Sequence, residues 1–188
     1  MMQAFEWYVA PDGKHFRRLA RDIPSLEAIG ISALWIPPAC KGGGDRDNGY
    51  GIYGRRLLAV LTLDLWDLGE FDQKGTVRTK WGSYDDLKHL QQVAKHNNVL
   101  LYFDAVLNHK ASADETETCR AVQVDWDGWS YQGFFLTIDR TKTVGDEVEI
   151  SAWLGFTFPG RKDKYSNMKW HWEHFTGTDW VSFVLEVL

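Results

Sequence analysis

Apolar positions along this chain fall into short unbroken runs and into series with helical spacing. Val99–Phe103 is an unbroken apolar and aromatic run, which is typical of a buried parallel strand. It directly follows Ser83–Asn97, where apolar residues recur at helical spacing and Ser83 is an N-cap candidate with Asp86 three residues on. A helix that leads into a buried strand predicts an α/β fold.

The first part of the chain predicts further elements of the same two kinds. Met1–Tyr8 is short and partly alternating, which is consistent with a first strand. Apolar spacings of three and four predict a helix over His15–Ile29, broken or kinked at Pro24, with the next glycine as its C-cap. Ile31–Pro38 predicts a buried strand stopped by two prolines, and Asp64–Phe71 predicts a further strand that leaves into a polar loop.

The pattern changes from Lys110 onward. Short alternating stretches follow, among them Ala121–Val124 and Glu147–Ile150, and Asp-Gly and Gly-Asp turn sequences separate them. This region therefore predicts β-rich structure in place of another helix.

Polar residues cluster where the Val99–Phe103 strand ends. Asp104, Asn108 and His109 follow it closely, and the carboxyl ends of parallel strands are where loops carry chemistry in α/β folds. Purely structural interpretations stay open, because Asp104 could accept backbone N–H bonds, Asn108 could be a turn residue and His109 a satisfied neutral histidine. The glycines of Lys41–Gly51 also allow backbone shapes that bring the ring of Tyr50 to a site.

Composition narrows the classes of function. The 188 residues are 44% hydrophobic with a formal net charge of −5 and no basic stripe, so nucleic acid is not expected as a partner. No run is long enough to span a membrane, and no serine-hydrolase or phosphate-loop motif is present. The 10 tryptophans could stack on sugar rings or simply fill a core.

The two cysteines and the amino terminus give indications of the cellular compartment of the protein. Cys40 and Cys119 have no metal-site spacing and form no disulfide framework, which favours a reducing compartment. The first residues lack the basic start and apolar core of a secretory signal. The sequence therefore predicts a cytoplasmic protein.

Several segments carry a family resemblance. The run Asp104–His109 resembles the first signature segment of the α-amylase family of glycoside hydrolases, family 13. Further segments in matching order resemble the bacterial liquefying α-amylases and their intracellular fungal relatives: Met2–Tyr8, Leu34–Pro38, Asp67–Phe71, Gln73–Thr76, Phe158–Arg161 and Lys169–Trp172. Together they extend the resemblance over nearly the whole chain.

The resemblance implies a fold and its domains. It implies a TIM (β/α)8 barrel, of which residues 1–109 would form about the first three βα units, because a complete barrel takes about 250 residues. Residues 110–180 would belong to an incomplete β-rich domain inserted after the third strand. Residues 54–63 interrupt a motif that is continuous in the family, and residues 181–188 form a tail unlike the family.

The resemblance also implies an activity and its site. The family cleaves internal α-1,4-glucosidic bonds of starch or glycogen with retention of configuration, as a monomer. The match of Tyr50 forms a stacking floor for the sugar, the match of His109 binds sugar hydroxyls, and the match of Asp104 supports the site. The match of Asn108 is a calcium ligand, although Thr176 stands where many bacterial relatives carry a metal-binding aspartate.

Retaining hydrolysis requires two carboxyl groups roughly 5–5.5 Å apart. No carboxylate in these 188 residues matches the family's nucleophile or its general acid/base. The sequence therefore predicts an α-amylase-type glycosidase by family, with this chain inactive as it stands. The alternatives are a non-catalytic glucan-binding fragment and, less favoured by the liquefying-type segments, a related transglycosylase or isomerising enzyme.

Overall fold

The computed structural model describes residues 1–50, 64–107, 109–125, 132–135, 143–178 and 181–182. The chain divides into two compact units. The first unit comprises Met1–Ser112 and Phe158–Ser166, and the second comprises Ala113–Thr157 and Asn167–Leu188. The predicted insertion at residues 54–63 lies outside the described residues, as does most of the predicted tail at 181–188.

The first unit contains a parallel sheet and two helices. Its strands are β1 (Met2–Gln3), β2 (Ala33–Ile36) and β3 (Leu100–Phe103), in the order β1-β2-β3. The helices are α1 (His15–Ala28) and α2 (Tyr84–His96). Each helix lies between two strands along the chain, as parallel strands require a crossover connection. The α/β class predicted from the sequence is confirmed.

Helix α2 begins as its sequence predicts. The Ser83 hydroxyl accepts the backbone N–H of Asp86 at 3.2 Å, and the Asp86 carboxylate accepts the backbone N–H of Ser83 at 3.0 Å. This reciprocal pair is a capping box, which satisfies two of the N–H groups that a helix start leaves without partners.

Helix α1 ends at a Schellman motif and is not broken at Pro24, where a break or a kink was predicted. Gly30 has a φ of +91° and donates its N–H to Glu27 O at 2.8 Å, while Ile31 N–H bonds to Leu26 O at 3.0 Å. Pro24 removes a single N–H donor, and the helix continues through it to Ala28.

The core of the first unit lies between the helices and one face of the sheet. Its buried residues come mainly from α1, α2 and β2: Phe16, Leu19, Ile23, Leu34, Ile36, Leu87, Leu90 and Ala94. Strand β3 departs from its predicted burial, because Leu100 is 60% exposed and Tyr102 is 52% exposed. The physical reason is that β3 is the last strand in the sheet order and its second face lies open in the described part of the chain.

The strand predicted over Asp64–Phe71 is wrong. Those residues form turns, with one isolated bridge between Lys41 and Asp64. The Asp67 carboxylate accepts the backbone N–H groups of Gly69 and Glu70 at 2.9 Å each. Because aspartate side chains compete for backbone donors in this way, they favour turns over strand ladders.

The second unit is an antiparallel sheet with the strand order β7-β5-β4-β6-β8. Its strands are β4 (Glu115–Asp125), β5 (Gln132–Phe135), β6 (Thr143–Gly155), β7 (Gly177–Thr178) and β8 (Val181–Ser182). The alternating stretches predicted to be strands lie within β4 and β6. A 3-10 helix, Trp172–His174, follows β6, and Trp172 packs against a small core that includes Cys119 and Ile150.

In the part of the chain that the structure describes, no helix combines the length and the apolar character needed to cross a membrane.

Candidate functional site

Three of the four site residues predicted from the sequence lie together beyond the carboxyl end of β3. The Tyr50 hydroxyl donates to the Asp104 carboxylate at 2.5 Å. His109 Nε2 lies 2.7 Å from the backbone oxygen of Tyr50, and a carbonyl oxygen can only accept, so Nε2 is the protonated nitrogen of that ring. Tyr50 is separated from Asp104 by 54 positions in the sequence, and the fold brings the two together.

The electrostatics of this contact keep the Tyr50 hydroxyl a donor. Burial raises the pKa of Tyr50 well above its usual value, and the hydrogen bond to the Asp104 carboxylate raises it further. At neutral pH the phenol therefore stays protonated. Asp104 in turn is held in one orientation by the proton that it accepts.

Aromatic rings support Tyr50 on the side of the first strand. The Trp7 ring stacks on the Tyr50 ring with centroids 5.8 Å apart and an interplanar angle of 18°. Phe5 lies 6.4 Å from Tyr50 in a tilted arrangement. Trp7 is nevertheless 52% exposed, so the pair lies at the surface and not in the core. The sequence analysis did not identify Trp7 as a site residue, although it lies within the Met2–Tyr8 motif.

The backbone before Tyr50 needs glycine at one position. Gly49 has a φ of +87°, and a Cβ there would lie 2.7 Å from Pro38 Cβ. The Asp47 carboxylate orders the same loop by accepting the N–H groups of Gly43 and Gly49 at 2.8 Å each. The prediction that glycines shape this loop to place the Tyr50 ring is confirmed at Gly49.

A buried charged cluster lies elsewhere in the first unit, and the sequence analysis missed it as a cluster. Asp64 Oδ2 accepts from Gln73 Nε2 at 2.9 Å and from Arg161 Nε at 2.8 Å. Gln73 Nε2 also donates to Asp67 Oδ2 at 2.9 Å, and Lys41 Nζ lies 3.6 Å from that oxygen. All five residues are buried. Three of them lie in segments that carry the family resemblance, which is the only signal the sequence offered.

Backbone oxygens complete the coordination of both cations in this cluster. Lys41 Nζ donates to Thr76 O at 2.8 Å and to Phe71 O at 3.1 Å, and burial lowers its pKa. Arg161 Nη1 donates to Lys164 O at 2.7 Å and to Ser166 O at 2.6 Å. Arg161 Nη2, by contrast, is buried without a hydrogen-bond partner among the described residues. With its charges paired, the cluster fits a structural role, since leaving a buried charge unpaired is costly.

The fourth predicted residue, Asn108, lies outside the described residues. Within the described ranges, no group of three or more His, Cys, Asp and Glu side chains is arranged to hold a metal ion. Thr176 directly precedes β7 in the second unit.

The two cysteines are buried and unbonded to each other. Burial raises the pKa of the Cys40 thiol to about 12, so it is not a reactive thiolate at neutral pH.

Comparison with known proteins identifies relatives along nearly the whole chain. An α-amylase of Bacillus licheniformis and a glucan 1,4-alpha-maltohexaosidase of Bacillus sp. strain 707 are each 46% identical over 180 residues. A cytoplasmic α-amylase of Escherichia coli K12 is 36% identical over 182 residues. Each alignment takes in 96% of this chain but only 31–32% of the relative, so the chain spans about a third of their length. No family model matches the chain.

Solved structures show the same fold at low sequence identity. Truncated alternansucrase from Leuconostoc mesenteroides matches 96% of this chain and 18% of its own, with a TM-score of 0.66 and 14% identity. Alternansucrase in complex with isomaltononaose matches 90% of this chain and 16% of its own, with a TM-score of 0.61. At this identity the likeness concerns the fold alone.

The described residues define the class as an α/β protein, and the sequence is similar to about a third of the length of the α-amylases. More narrowly, identities of 36–46% along 96% of its length make the chain a homologue of the α-amylases, as its motifs predicted.

Proposed function

We propose that this chain is part of an α-amylase-type glycoside hydrolase that acts on internal α-1,4-glucosidic bonds of starch or glycogen. The observation that carries the proposal is the contact of Tyr50 with both Asp104 and His109, at the carboxyl end of a parallel sheet in an α-amylase homologue. In this proposal the first unit is the start of a (β/α)8 barrel, and the β-rich second unit is an inserted domain.

The three residues take different roles in sugar recognition. Tyr50 offers an aromatic face to the apolar face of a glucose ring, and His109 offers a ring nitrogen to sugar hydroxyls. Asp104 is a positioning residue, because its carboxylate is engaged by the Tyr50 hydroxyl and fixes that ring. An aromatic face beside a few placed polar groups is the usual composition of a small-molecule site.

Bond cleavage would need two carboxyl groups on either side of the scissile bond. Asp104 does not serve as one of them in this proposal, and the sequence offers no match for the family's pair. We therefore infer that these 188 residues bind α-glucan without hydrolysing it.

The test is to titrate the purified chain with maltoheptaose by calorimetry and to assay it for reducing sugar released from soluble starch. We expect saturable binding, no release of sugar, and about tenfold weaker binding for His109→Ala. His96→Ala, at an exposed position of α2, is the matched control and should bind as the wild type does. Absence of binding would overturn the proposal, and sugar release would overturn the inference that the chain alone is inactive.

Calcium binding through Asn108, a monomeric state and a cytoplasmic location complete the proposal. Calcium is supported by the oxygen ligand at Asn108, which suits a hard cation. The expected result is a higher Tm of the wild type in calcium than in a chelator, with no such difference in Asn108→Ala.

The location is supported by the E. coli relative, whose name describes it as cytoplasmic.

A further inference from the structure

Lys80 is a buried cation whose hydrogen bonds go to neutral oxygens. The residue is 4% exposed, and its Nζ donates to Trp7 O at 2.9 Å and to the side-chain oxygen of Asn48. Burial lowers the pKa of Lys80, and the charges of Glu6 and Asp47 oppose that shift. Because moving an ammonium group out of water costs free energy, an apolar side chain at this position would serve stability at least as well. Stability alone therefore does not account for a lysine here.

The two oxygens that Lys80 binds belong to the two supports of the Tyr50 ring. The Trp7 ring stacks on the Tyr50 ring with centroids 5.8 Å apart. Asn48 lies two residues before Tyr50, and its Nδ2 also donates to Trp7 O at 3.3 Å. The backbone oxygen of Asn48 accepts from Trp81 Nε1 at 3.2 Å. Lys80 thus joins the ring that packs on Tyr50 to the chain that carries Tyr50.

We propose that Lys80 is a positioning residue of the glucan site, which fixes the orientation of the Tyr50 ring through the two groups that it binds. This inference rests on the proposed function, in which Tyr50 contacts the sugar. Because Lys80 is buried, its ammonium group does not contact the sugar itself. A ring that is already held in its binding orientation loses less freedom when the sugar binds, which raises affinity.

A purely structural role for Lys80 makes a different prediction. If its hydrogen bonds only stabilised the fold, their loss would lower the free energy of unfolding and leave the sugar affinity of the folded chain unchanged. A positioning role lowers that affinity and changes the environment of the Tyr50 ring in a chain that is still folded. These two readouts therefore separate the two roles.

The first experiment measures the affinity of the full chain for maltoheptaose by calorimetry. Lys80→Met keeps a long side chain but removes the charge and the donors, and we expect about tenfold weaker binding. Lys95→Met is the matched control, because Lys95 is exposed on α2, and it should bind as the wild type does. Circular dichroism checks that each variant is folded.

The second experiment observes the Tyr50 ring directly and needs no sugar. In chain labelled with 3-fluorotyrosine, the Tyr50 fluorine resonance is assigned as the one missing from Tyr50→Phe. We expect this resonance to shift in Lys80→Met and to stay in place in Lys95→Met.

A further variant keeps the test decisive if Lys80→Met does not fold. Asn48 is only partly buried, and Asn48→Ala removes the side-chain oxygen that Lys80 binds. We expect weaker maltoheptaose binding and a shifted Tyr50 resonance, whereas Arg46→Ala, at an exposed position of the same loop, should show neither. Unchanged affinity or an unshifted Tyr50 resonance in whichever of the two variants folds overturns this inference and leaves the proposed function in place. A wild type that does not bind maltoheptaose overturns both.

Discussion

Arg161 donates Nε–H to Asp64 Oδ2 at 2.8 Å, although the two residues are 97 positions apart. Both side chains are at most 1% exposed. The pair fixes the short segment Phe158–Ser166 to the rest of the first unit. The ring of Phe158 also lies beneath the Arg161 guanidinium, with Cζ 5.0 Å from the ring centroid.

Replacing Arg161 with methionine should destabilise the first unit strongly. Arg161→Met leaves the Asp64 carboxylate buried without its cation, and removing one partner of a buried pair typically costs about 3–5 kcal/mol. The measurement is urea unfolding followed by tryptophan fluorescence. Arg18→Met is the control, because Arg18 pairs with Asp12 at 2.8 Å where both are partly exposed, and it should change little.

A second substitution tests the cause of that loss. If the cost comes from an uncompensated charge, Asp64→Asn combined with Arg161→Met should recover part of the stability, because it removes the unpaired carboxylate. A double variant no more stable than Arg161→Met would contradict this explanation.

Removing the Tyr50 hydroxyl should weaken sugar binding. Tyr50→Phe keeps the aromatic face but leaves the Asp104 carboxylate without its donor, and hydrogen bonds to charged groups contribute about 1.5–3 kcal/mol. We expect maltoheptaose affinity to fall by about tenfold, as measured by calorimetry. Tyr8→Phe is the matched control, since Tyr8 is 87% exposed. Unchanged affinity in Tyr50→Phe would contradict the positioning role of Asp104.

The capping box of α2 gives a prediction about stability. Ser83→Ala removes the hydroxyl that accepts the N–H of Asp86 and should cost about 1 kcal/mol. Ser25→Ala, at an exposed position within α1, should be neutral or slightly stabilising because alanine has the higher helix propensity. The measurement is the free energy of unfolding of each variant from urea titration. An equal change in Ser83→Ala and Ser25→Ala would contradict the capping role of Ser83.

Sequence patterns predicted those structural features that depend only on residues close together in the sequence. The Ser83–Asp86 cap and the glycine after α1 depend on neighbours within a few residues, and both are where the sequence placed them. The Asp64 carboxylate, by contrast, has a partner as distant in sequence as Arg161. The apolar residues between Asp64 and Asp67 suggested a strand, but the bonds of the two buried carboxylates hold this segment as a loop.

The candidate site was predictable to the extent that its residues sit in recognisable motifs. Tyr50, Asp104 and His109 were named in that way, and the structure brings Tyr50 into contact with each of the other two. Their contacts join positions 54 and 59 residues apart, which no periodicity indicates. Trp7 was missed because an aromatic residue in a first strand is usually core, and only its exposure and its stacking on Tyr50 distinguish it.

The lowered pKa of His15 predicts how the free energy of unfolding changes with pH. It is buried, its Nε2 lies 2.7 Å from Ala4 O, and burial is the main cause that lowers its pKa below 6.5. The nearby cations Arg18 and Lys80 lower the pKa further, whereas the Ala4 contact and Asp12 oppose the shift. Because the unfolded chain then binds the proton more readily than the folded one, stability rises with pH across the interval between the two pKa values.

The measurement is the free energy of unfolding by urea from pH 7.5 down to pH 5. We expect the wild type to lose stability as the pH falls below about 6.5, at a rate of up to about 1.4 kcal/mol per pH unit for one proton. His15→Gln should lack this component, since glutamine does not titrate and can still donate to Ala4 O. His89→Gln, at an exposed position of α2, should keep the wild-type slope. The same slope in His15→Gln as in the wild type would show that another group controls the pH dependence.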